Sequence, residues 1–222
     1  MLPELENPRI LDAGCGYGDV TVYLAKLSKG EIIGVDIDQH ALNESLIKIK
    51  KAGLSDRLHV VNRSLFELNF KNESFDIIWT EASIHNMGFA TGLKTMRRFI
   101  KPQNYLIVHD ITLHDPDVPQ EIVDLKKIFF TKIKTTAEYI KDIPLSGYDI
   151  IDHFLLPEDF WWIDYYVPLQ KRILKLREQY TDSRQVQKIL DNEQSEVDLF
   201  RKYIKWYGSV YFIMQKSEFN KF

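Results

Sequence analysis

A run of three alternate glycines near the start of the chain carries the clearest chemical signal. A short strand, predicted over residues 9–12, ends at Asp12 and is followed by Gly14, Gly16 and Gly18. Glycine reaches positive φ without strain and lets a ligand lie against the backbone. A helix that starts at such a turn also presents unpaired N–H groups. The spacing therefore predicts a turn that holds the polar part of a ligand.

A second acidic residue follows the next apolar stretch. Residues 32–35 are apolar or glycine, and Asp36 comes directly after them. In nucleotide-binding α/β folds, a carboxylate at this place binds the hydroxyl groups of a ribose. The carboxyl ends of parallel strands meet at one edge of a sheet, so the glycine turn and Asp36 predict one pocket for a nucleoside-bearing cofactor.

The spacing of the glycines separates two classes of cofactor. Dinucleotide-binding folds use Gly-x-Gly-x-x-Gly, whereas position 19 of this chain is Asp. The carboxylate of Asp12 would repel a pyrophosphate and would suit a cationic amine. Asp12, Gly14, Gly16 and Gly18 match acid-x-Gly-x-Gly-x-Gly, the first motif of the class I S-adenosylmethionine (SAM)-dependent methyltransferases. The chain resembles this family from about residue 9 to residue 112.

The resemblance implies SAM as cofactor and S-adenosylhomocysteine as product. It places adenine beside Ile37, Ser64 and Leu65, with Ser64 where the family usually has an acid, and the methionine part beside Thr80 and Glu81. Cys15 lies within the turn, where we expect a small packing residue rather than a nucleophile. The cofactor-binding residues expected in this way are Asp12, Gly14, Cys15, Gly16, Gly18, Asp36, Ile37, Ser64, Leu65, Thr80 and Glu81.

The residues after the predicted fourth strand are the candidates for catalysis. His85 is the candidate base, which is needed only if the acceptor must lose a proton. Asn86, together with Glu81, could orient an acceptor. An aromatic run further on could hold an apolar ring or a cation. The expected substrate-binding residues are Asn86, Trp161, Trp162, Tyr165 and Tyr166.

Two His-Asp pairs near the predicted fifth strand raise the alternative of a metal site. They are His109-Asp110 and His114-Asp115. Mg²⁺ prefers oxygen ligands, and the acid-acid-Asn set of the magnesium-dependent enzymes of the resembled family is missing here. We therefore expect no metal, with Asp110 ending the strand and the histidines serving local structure.

The order of predicted elements indicates an α/β fold: a doubly wound, mostly parallel seven-stranded sheet with helices on both faces. The first helix should turn Val20, Leu24 and Leu27 inward, and Thr135 with Glu138 forms a capping box for a later helix. A helical insertion or lid is predicted at about 157–207, between strands six and seven. The predicted strands are 9–12, 31–36, 57–61, 75–79, 104–109, 148–156 and 209–215, and helices are predicted at 118–131 and 135–143.

Composition limits the classes of protein. The chain has 222 residues, 45% of them hydrophobic, a net charge of −3 and one cysteine. We expect one domain, 1–222, in the reducing cytoplasm, with no membrane span and no broad nucleic-acid surface. The short segment before the first strand leaves two covers for the pocket: the insertion, or a second subunit of a homodimer.

The leading interpretation is a methyltransferase that uses SAM to methylate a small-molecule acceptor at O, N or C. Two alternatives stay open at this point. One is a non-catalytic SAM-binding regulator that keeps the pocket without turnover. The other is a nicotinamide-dependent oxidoreductase, against which the glycine spacing and Asp12 argue.

Overall fold

Seven strands form one sheet in the computed structural model, which describes residues 2–113, 119, 122, 133–157 and 159–218. Their order across the sheet is β3-β2-β1-β4-β5-β7-β6. The strands are β1 (Ile10–Ala13), β2 (Ile32–Asp36), β3 (Leu58–Asn62), β4 (Phe75–Glu81), β5 (Ile100–Leu113), β6 (Tyr148–Leu155) and β7 (Tyr207–Lys216).

The sheet is mixed, and β7 is the strand that runs against its neighbours. β1 pairs in parallel with β2 and β4, β2 with β3, and β4 with β5. β7 pairs antiparallel with both β5 and β6. This confirms the predicted α/β fold with a mostly parallel, seven-stranded sheet. The carboxyl ends of β1, β2 and β4 consequently open onto the same edge.

Helices connect most of the strands. Asp38 caps α2 by accepting from the backbone N–H groups of His40 and Ala41, and the predicted capping box of Thr135 and Glu138 is present at α4. No helix in the described part of the chain has the length and hydropathy needed to span a membrane. The helices are α1 (Asp19–Leu27), α2 (Gln39–Lys51), α3 (Phe89–Arg97), α4 (Thr136–Leu145), α5 (Val167–Gln179) and α6 (Arg184–Tyr203).

The core occupies both faces of the sheet because successive strand residues point to opposite sides. On one face, Leu11 and Leu106 pack with Tyr139 of α4. On the other face, Ile10 and Ile107 pack with Leu24 of α1. Both faces of the central strands are thus covered, which leaves the carboxyl edge of the sheet as the place for a binding site.

The chain between β6 and β7 is largely helical. A π-helical turn, Trp162–Tyr166, leads into α5, and α6 follows. These elements form a hydrophobic cluster of their own, in which Tyr166 and Ile173 pack with Leu190 and Val197. The helices lie within the predicted range of about 157–207, and their role as a lid is a proposal taken up below.

Two predictions about the elements are wrong. Strand β5 is longer than 104–109 because Ile100 already pairs with Phe75 and because β7 pairs along it as far as Leu113. Leu27, predicted to point inward, is 69% exposed at the last position of α1. The helix predicted at 118–131 falls outside the described residues except for positions 119 and 122.

Candidate active site

The glycine turn has the backbone conformation that its sequence predicts. Gly14, Gly16 and Gly18 have φ values of 84°, 49° and 76°. The backbone N–H groups of Gly14 and Cys15 donate to the carbonyl of Val35 on β2, at 2.8 and 3.0 Å. Gly18 is the N-cap of α1, so the amino end of this helix faces the turn.

Asp36 fastens this turn to the end of β2. Its Oδ2 accepts from the backbone N–H of Gly16 at 2.8 Å, and its Oδ1 accepts from that of Asp38 at 2.9 Å. A carboxylate has about four acceptor positions, so each oxygen keeps capacity for a ligand hydroxyl. The carboxylate is therefore oriented before any ligand arrives.

A cavity of about 350 Å³ lies beside Asp36, and we call it the Asp36 cavity. It brings together five of the residues predicted to bind the cofactor, and Asn86, which was predicted to bind substrate, lies here as well. The sequence analysis did not single out Arg63, Phe66, Ser83 or Met87. The lining residues are Gly14, Asp36, Ile37, Arg63, Ser64, Leu65, Phe66, Ser83, Asn86 and Met87.

Ser83 explains why position 14 is glycine. Its hydroxyl donates to the carbonyl of Ala13 at 2.7 Å and lies 2.6 Å from the Thr80 hydroxyl. A Cβ atom on Gly14 would come within 2.4 Å of the Ser83 Cβ. Thr80 is fully buried, so its side chain supports Ser83 from below and does not line the cavity. No local spacing in the sequence indicates this contact between distant segments.

Two predicted acidic residues lie beneath the site. Asp12 is 2% exposed and accepts from the Thr21 hydroxyl at 2.6 Å. Burial raises the pKa of Asp12 from its usual 3.8 to about 7, and the carboxylates of Glu81 and Asp36 add to this rise. Glu81 accepts from Trp79 Nε1 at 2.8 Å and from the Tyr211 hydroxyl at 2.7 Å. Neither acid lines the Asp36 cavity.

Cys15 packs against β2. It is 8% exposed, and its Sγ would lie 2.8 Å from a Cβ placed on Gly34. Burial raises the pKa of its thiol, which keeps the thiol protonated near neutral pH. These observations favour the packing role over a nucleophilic one.

His85 contacts a buried carboxylate. Its Nδ1 lies 3.2 Å from Asp110 Oδ1, and Asp110 is 1% exposed while the His85 side chain is 36% exposed. The expectation that Asp110 ends the strand is wrong, because β5 continues to Leu113. Asp110 Oδ2 is buried without a hydrogen-bond partner among the described residues. The Asp110 carboxylate is thus poised to orient the imidazole of His85.

A second cavity, of about 270 Å³, is walled mainly by aromatic and aliphatic side chains, and we call it the aromatic cavity. Trp161, Tyr165 and Tyr166 line it as predicted for substrate binding. Trp162 does not line it, because its ring stacks on Tyr166 at 6.2 Å and lies under the guanidinium of Arg201. The lining residues are Ala82, Ile111, Trp161, Tyr165, Tyr166, Glu196, Leu199, Phe200, Gly208 and Ser209.

The two cavities are lined by consecutive residues directly after β4. Ala82 lines the aromatic cavity, and the next residue, Ser83, lines the Asp36 cavity. Ala82 is held there by its backbone N–H, which donates to the carbonyl of His109 at 3.0 Å. The two cavities therefore come close to each other at this segment of two residues.

The His-Asp pairs form no metal centre in the described part of the chain, where no group of three or more His, Cys, Asp or Glu side chains could hold an ion. His109 stacks on Trp161 and lies against Tyr211, with ring centroids 5.6 and 4.7 Å apart. Burial lowers its pKa, so we expect a neutral ring near pH 7. His114 and Asp115 lie outside the described residues.

Comparison with known proteins identifies the family. The family model described as "Methyltransferase domain" matches residues 5–193. The chain belongs to the class I SAM-dependent methyltransferase family. SAM is the cofactor that this family uses, and the assignment favours SAM over the nicotinamide cofactor that the sequence analysis left open.

The chain is also similar to individual proteins, one of them uncharacterized and one a methyltransferase. A protein of Haemophilus influenzae is 30% identical over 154 residues, which are 67% of this chain and 61% of the relative. The demethylmenaquinone methyltransferase of Bacillus subtilis is 32% identical over 105 residues, 46% of this chain and 45% of the enzyme. The chain thus spans less than two thirds of either relative's length.

A solved structure shows the same fold. It is a SAM-dependent methyltransferase from Geobacter sulfurreducens in complex with S-adenosylhomocysteine, with a TM-score of 0.82 and 15% identity. The match covers 95% of this chain and 85% of that protein. At this identity the likeness concerns the fold alone.

Proposed function

We propose that this protein transfers the methyl group of SAM to a small-molecule acceptor held in the aromatic cavity. The observation that carries the proposal is that two consecutive residues, Ala82 and Ser83, line the aromatic cavity and the Asp36 cavity respectively. Methyl transfer requires the two reactants to be held in line and at short distance, and positioning of this kind supplies much of the rate enhancement. Two cavities that are lined by consecutive residues would allow that arrangement.

The Asp36 cavity suits the nucleoside part of the cofactor. Asp36 has acceptor capacity for the ribose hydroxyls, while Ile37 and Phe66, 71% and 65% exposed, offer apolar surface to an adenine ring. The hydroxyl of Ser64 accepts from the backbone N–H of Phe66 at 3.2 Å and so caps a 3₁₀ turn, Leu65–Glu67. In this proposal, Glu81 contributes negative charge below the glycine turn, where the cofactor's amino group would lie, and the raised pKa of Asp12 allows it to lose its proton when that cation binds.

His85 is the proposed base for acceptors that must lose a proton. SAM, when bound, supplies an electrophilic methyl group, which takes an acceptor lone pair while the electrons of the C–S bond return to sulfur. If Nδ1 of His85 carries a hydrogen, it donates to Asp110 and leaves Nε2 free to accept the acceptor's proton. Asp110 is then a positioning residue that fixes the tautomer.

The helices between β6 and β7 are the proposed lid, within a single domain, 1–222. They contribute Trp161, Tyr165, Tyr166 and Glu196 to the aromatic cavity. Covering the carboxyl edge of the sheet would keep water away from the methyl group, because excluding water is one of the tasks of such elements.

Calorimetric titration with S-adenosylhomocysteine, with NADH in parallel, tests the cofactor. We expect micromolar binding of S-adenosylhomocysteine and no binding of NADH. Transfer of an isotope-labelled methyl group from SAM to a panel of amines, phenols and activated carbon acids then tests turnover. Folded protein that does not bind S-adenosylhomocysteine would refute the proposal, while binding without transfer to any acceptor would favour the non-catalytic regulator.

A further inference from the structure

Tyr165 stands at right angles to two other aromatic side chains that line the aromatic cavity, Trp161 and Tyr166. Trp161 and Tyr165 have ring centroids 6.0 Å apart and an interplanar angle of 88°. Tyr165 and Tyr166 are 5.0 Å apart at 83°. Edge-to-face packing of this kind fixes the orientation of the rings, and a ring face that is open to the cavity attracts a cation through its quadrupole.

Glu196 adds a carboxylate to the lining of the aromatic cavity. It is the one residue with a formal charge among the described lining residues. The Tyr166 hydroxyl donates to its Oε1 at 3.5 Å. None of the ion pairs found among the described residues includes Glu196. Burial and the neighbouring Glu193 raise the pKa of Glu196, while the hydrogen bond from Tyr166 lowers it.

We propose that the aromatic cavity binds an organic ammonium group, so that the acceptor of this enzyme is an amine, which gives up a proton to the proposed base His85 before its nitrogen lone pair takes the methyl group. The statement that the ligand is the acceptor rests on the function proposed above. An ammonium group would pair with the partly buried carboxylate of Glu196 and would lie against the ring faces of Trp161 and Tyr165. A neutral ligand would leave that carboxylate without a counter-charge among the described residues.

The rest of the cavity limits the size of the amine. Ile111, Leu199 and Phe200 supply apolar walls, and the space of about 270 Å³ is small. Small-molecule sites usually measure about 300–1,000 Å³. The fit is therefore to a compact amine that carries little beyond its nitrogen substituents, rather than to a long chain or a polycyclic ring.

A matched pair of probes tests the charge requirement. Choline and 3,3-dimethylbutan-1-ol have the same shape, but carbon replaces the charged nitrogen in the alcohol. We expect the wild-type protein to bind choline at least about tenfold more tightly than the alcohol, from the cation–π contacts and the carboxylate together. Binding is measured by calorimetry, with and without S-adenosylhomocysteine.

Variants assign the effect to this cavity. Glu196→Gln keeps the side-chain shape and should weaken choline binding about tenfold while leaving the alcohol unchanged. Glu193→Gln, which removes a nearby charge outside the lining, is the matched control and should have a smaller effect. Tyr165→Leu removes one ring from a side chain that is 45% exposed, so it should weaken choline binding without unfolding the protein.

The outcomes separate the two proposals. Equal affinity for choline and the alcohol in the wild-type protein would overturn the ammonium site even where S-adenosylhomocysteine binds normally. Preference for choline without loss in either Glu196→Gln or Tyr165→Leu would also overturn it, since the ammonium would then bind elsewhere. Failure to bind S-adenosylhomocysteine would refute the proposed function instead, and the preference for choline would still be measured independently.

Discussion

Replacing Asp36 by asparagine should damage both the fold and cofactor binding, for a reason visible in its hydrogen bonds. Each carboxylate oxygen accepts from a different backbone N–H, Gly16 on Oδ2 and Asp38 on Oδ1. An asparagine has one acceptor oxygen, and its NH₂ group would face the second N–H. Asp36→Asn therefore loses one hydrogen bond outright and places two donors against each other.

The size of the effect follows from these contacts. The N–H of Gly16 is partly buried, whereas that of Asp38 is exposed. Leaving one of these donors without its partner therefore costs about 1 kcal/mol, the low end of the usual range, and each kcal/mol lowers Tm by roughly 2–4 °C for a chain of this size. A hydrogen bond from a ribose hydroxyl to a carboxylate contributes about 1.5–3 kcal/mol, which is about 10- to 150-fold in affinity. Asp36→Asn should thus melt several degrees lower and bind S-adenosylhomocysteine at least about tenfold more weakly.

Asp38→Asn is the matched control two residues away. Its acceptor role as the N-cap of α2 uses Oδ1, which accepts from the N–H groups of His40 and Ala41, and asparagine caps helices about as well as aspartate. Thermal unfolding and calorimetric titration of both variants decide the matter. If Asp36→Asn behaves like Asp38→Asn in both measurements, the reasoning is refuted. A lower Tm with unchanged affinity would keep the structural role and remove the ribose contact.

Three further predictions concern the base, the buried acid and the turn. His85→Ala and Asp110→Asn should each lower kcat at saturating SAM and preserve the affinity for S-adenosylhomocysteine. For an acceptor that must lose a proton, His85→Ala should lower kcat by about 10²-fold or more. An unaltered kcat in His85→Ala would refute the proposed role of His85 as a base. The pKa of Asp12 is about 7 in the folded protein against a usual 3.8. Between these two values the folded state keeps a proton that the unfolded state releases. The free energy of unfolding of the wild-type protein therefore falls as pH rises through this window. Asp12→Asn should therefore gain stability relative to wild type between about pH 4 and pH 8, measured as the difference in Tm, and a constant difference would contradict the raised pKa. Gly14→Ala should destabilise more than Gly16→Ala in urea unfolding, since its Cβ would meet Ser83 at 2.4 Å whereas nothing lies within 4 Å of a Cβ on Gly16; the reverse order would show that the contact with Ser83 is not tight.

Short-range patterns in the sequence predict the cofactor side of the site well. The glycine turn, Asp36 and the cap at Asp38 each depend on a few consecutive residues whose backbone preferences are local. The alternation of strands and helices is similarly local, and it leads to the α/β sheet that the structure shows. Membership of the methyltransferase family follows from the same residues, because the motif lies within one strand, turn and helix.

These local patterns do not predict contacts between segments that are distant in the sequence. His85 and Asp110 are 25 positions apart, and they meet because β4 and β5 are neighbours in the sheet. Ser83 is 70 positions from Ala13, whose carbonyl it binds. Periodicity says that Leu27 could face inward, but α1 ends there and the core does not reach it, so the side chain is 69% exposed.

The sequence by itself determined the fold class, the family and the position of the cofactor turn, because glycine conformation, helix capping and strand alternation act over a few residues. The tertiary structure alone decided which of the aromatic residues share a cavity and which acid joins them. Trp161 and Tyr165 meet Glu196 only after α5 and α6 have folded back beside the carboxyl edge of the sheet. Such a meeting depends on the packing of whole elements, which no local pattern of residue types encodes.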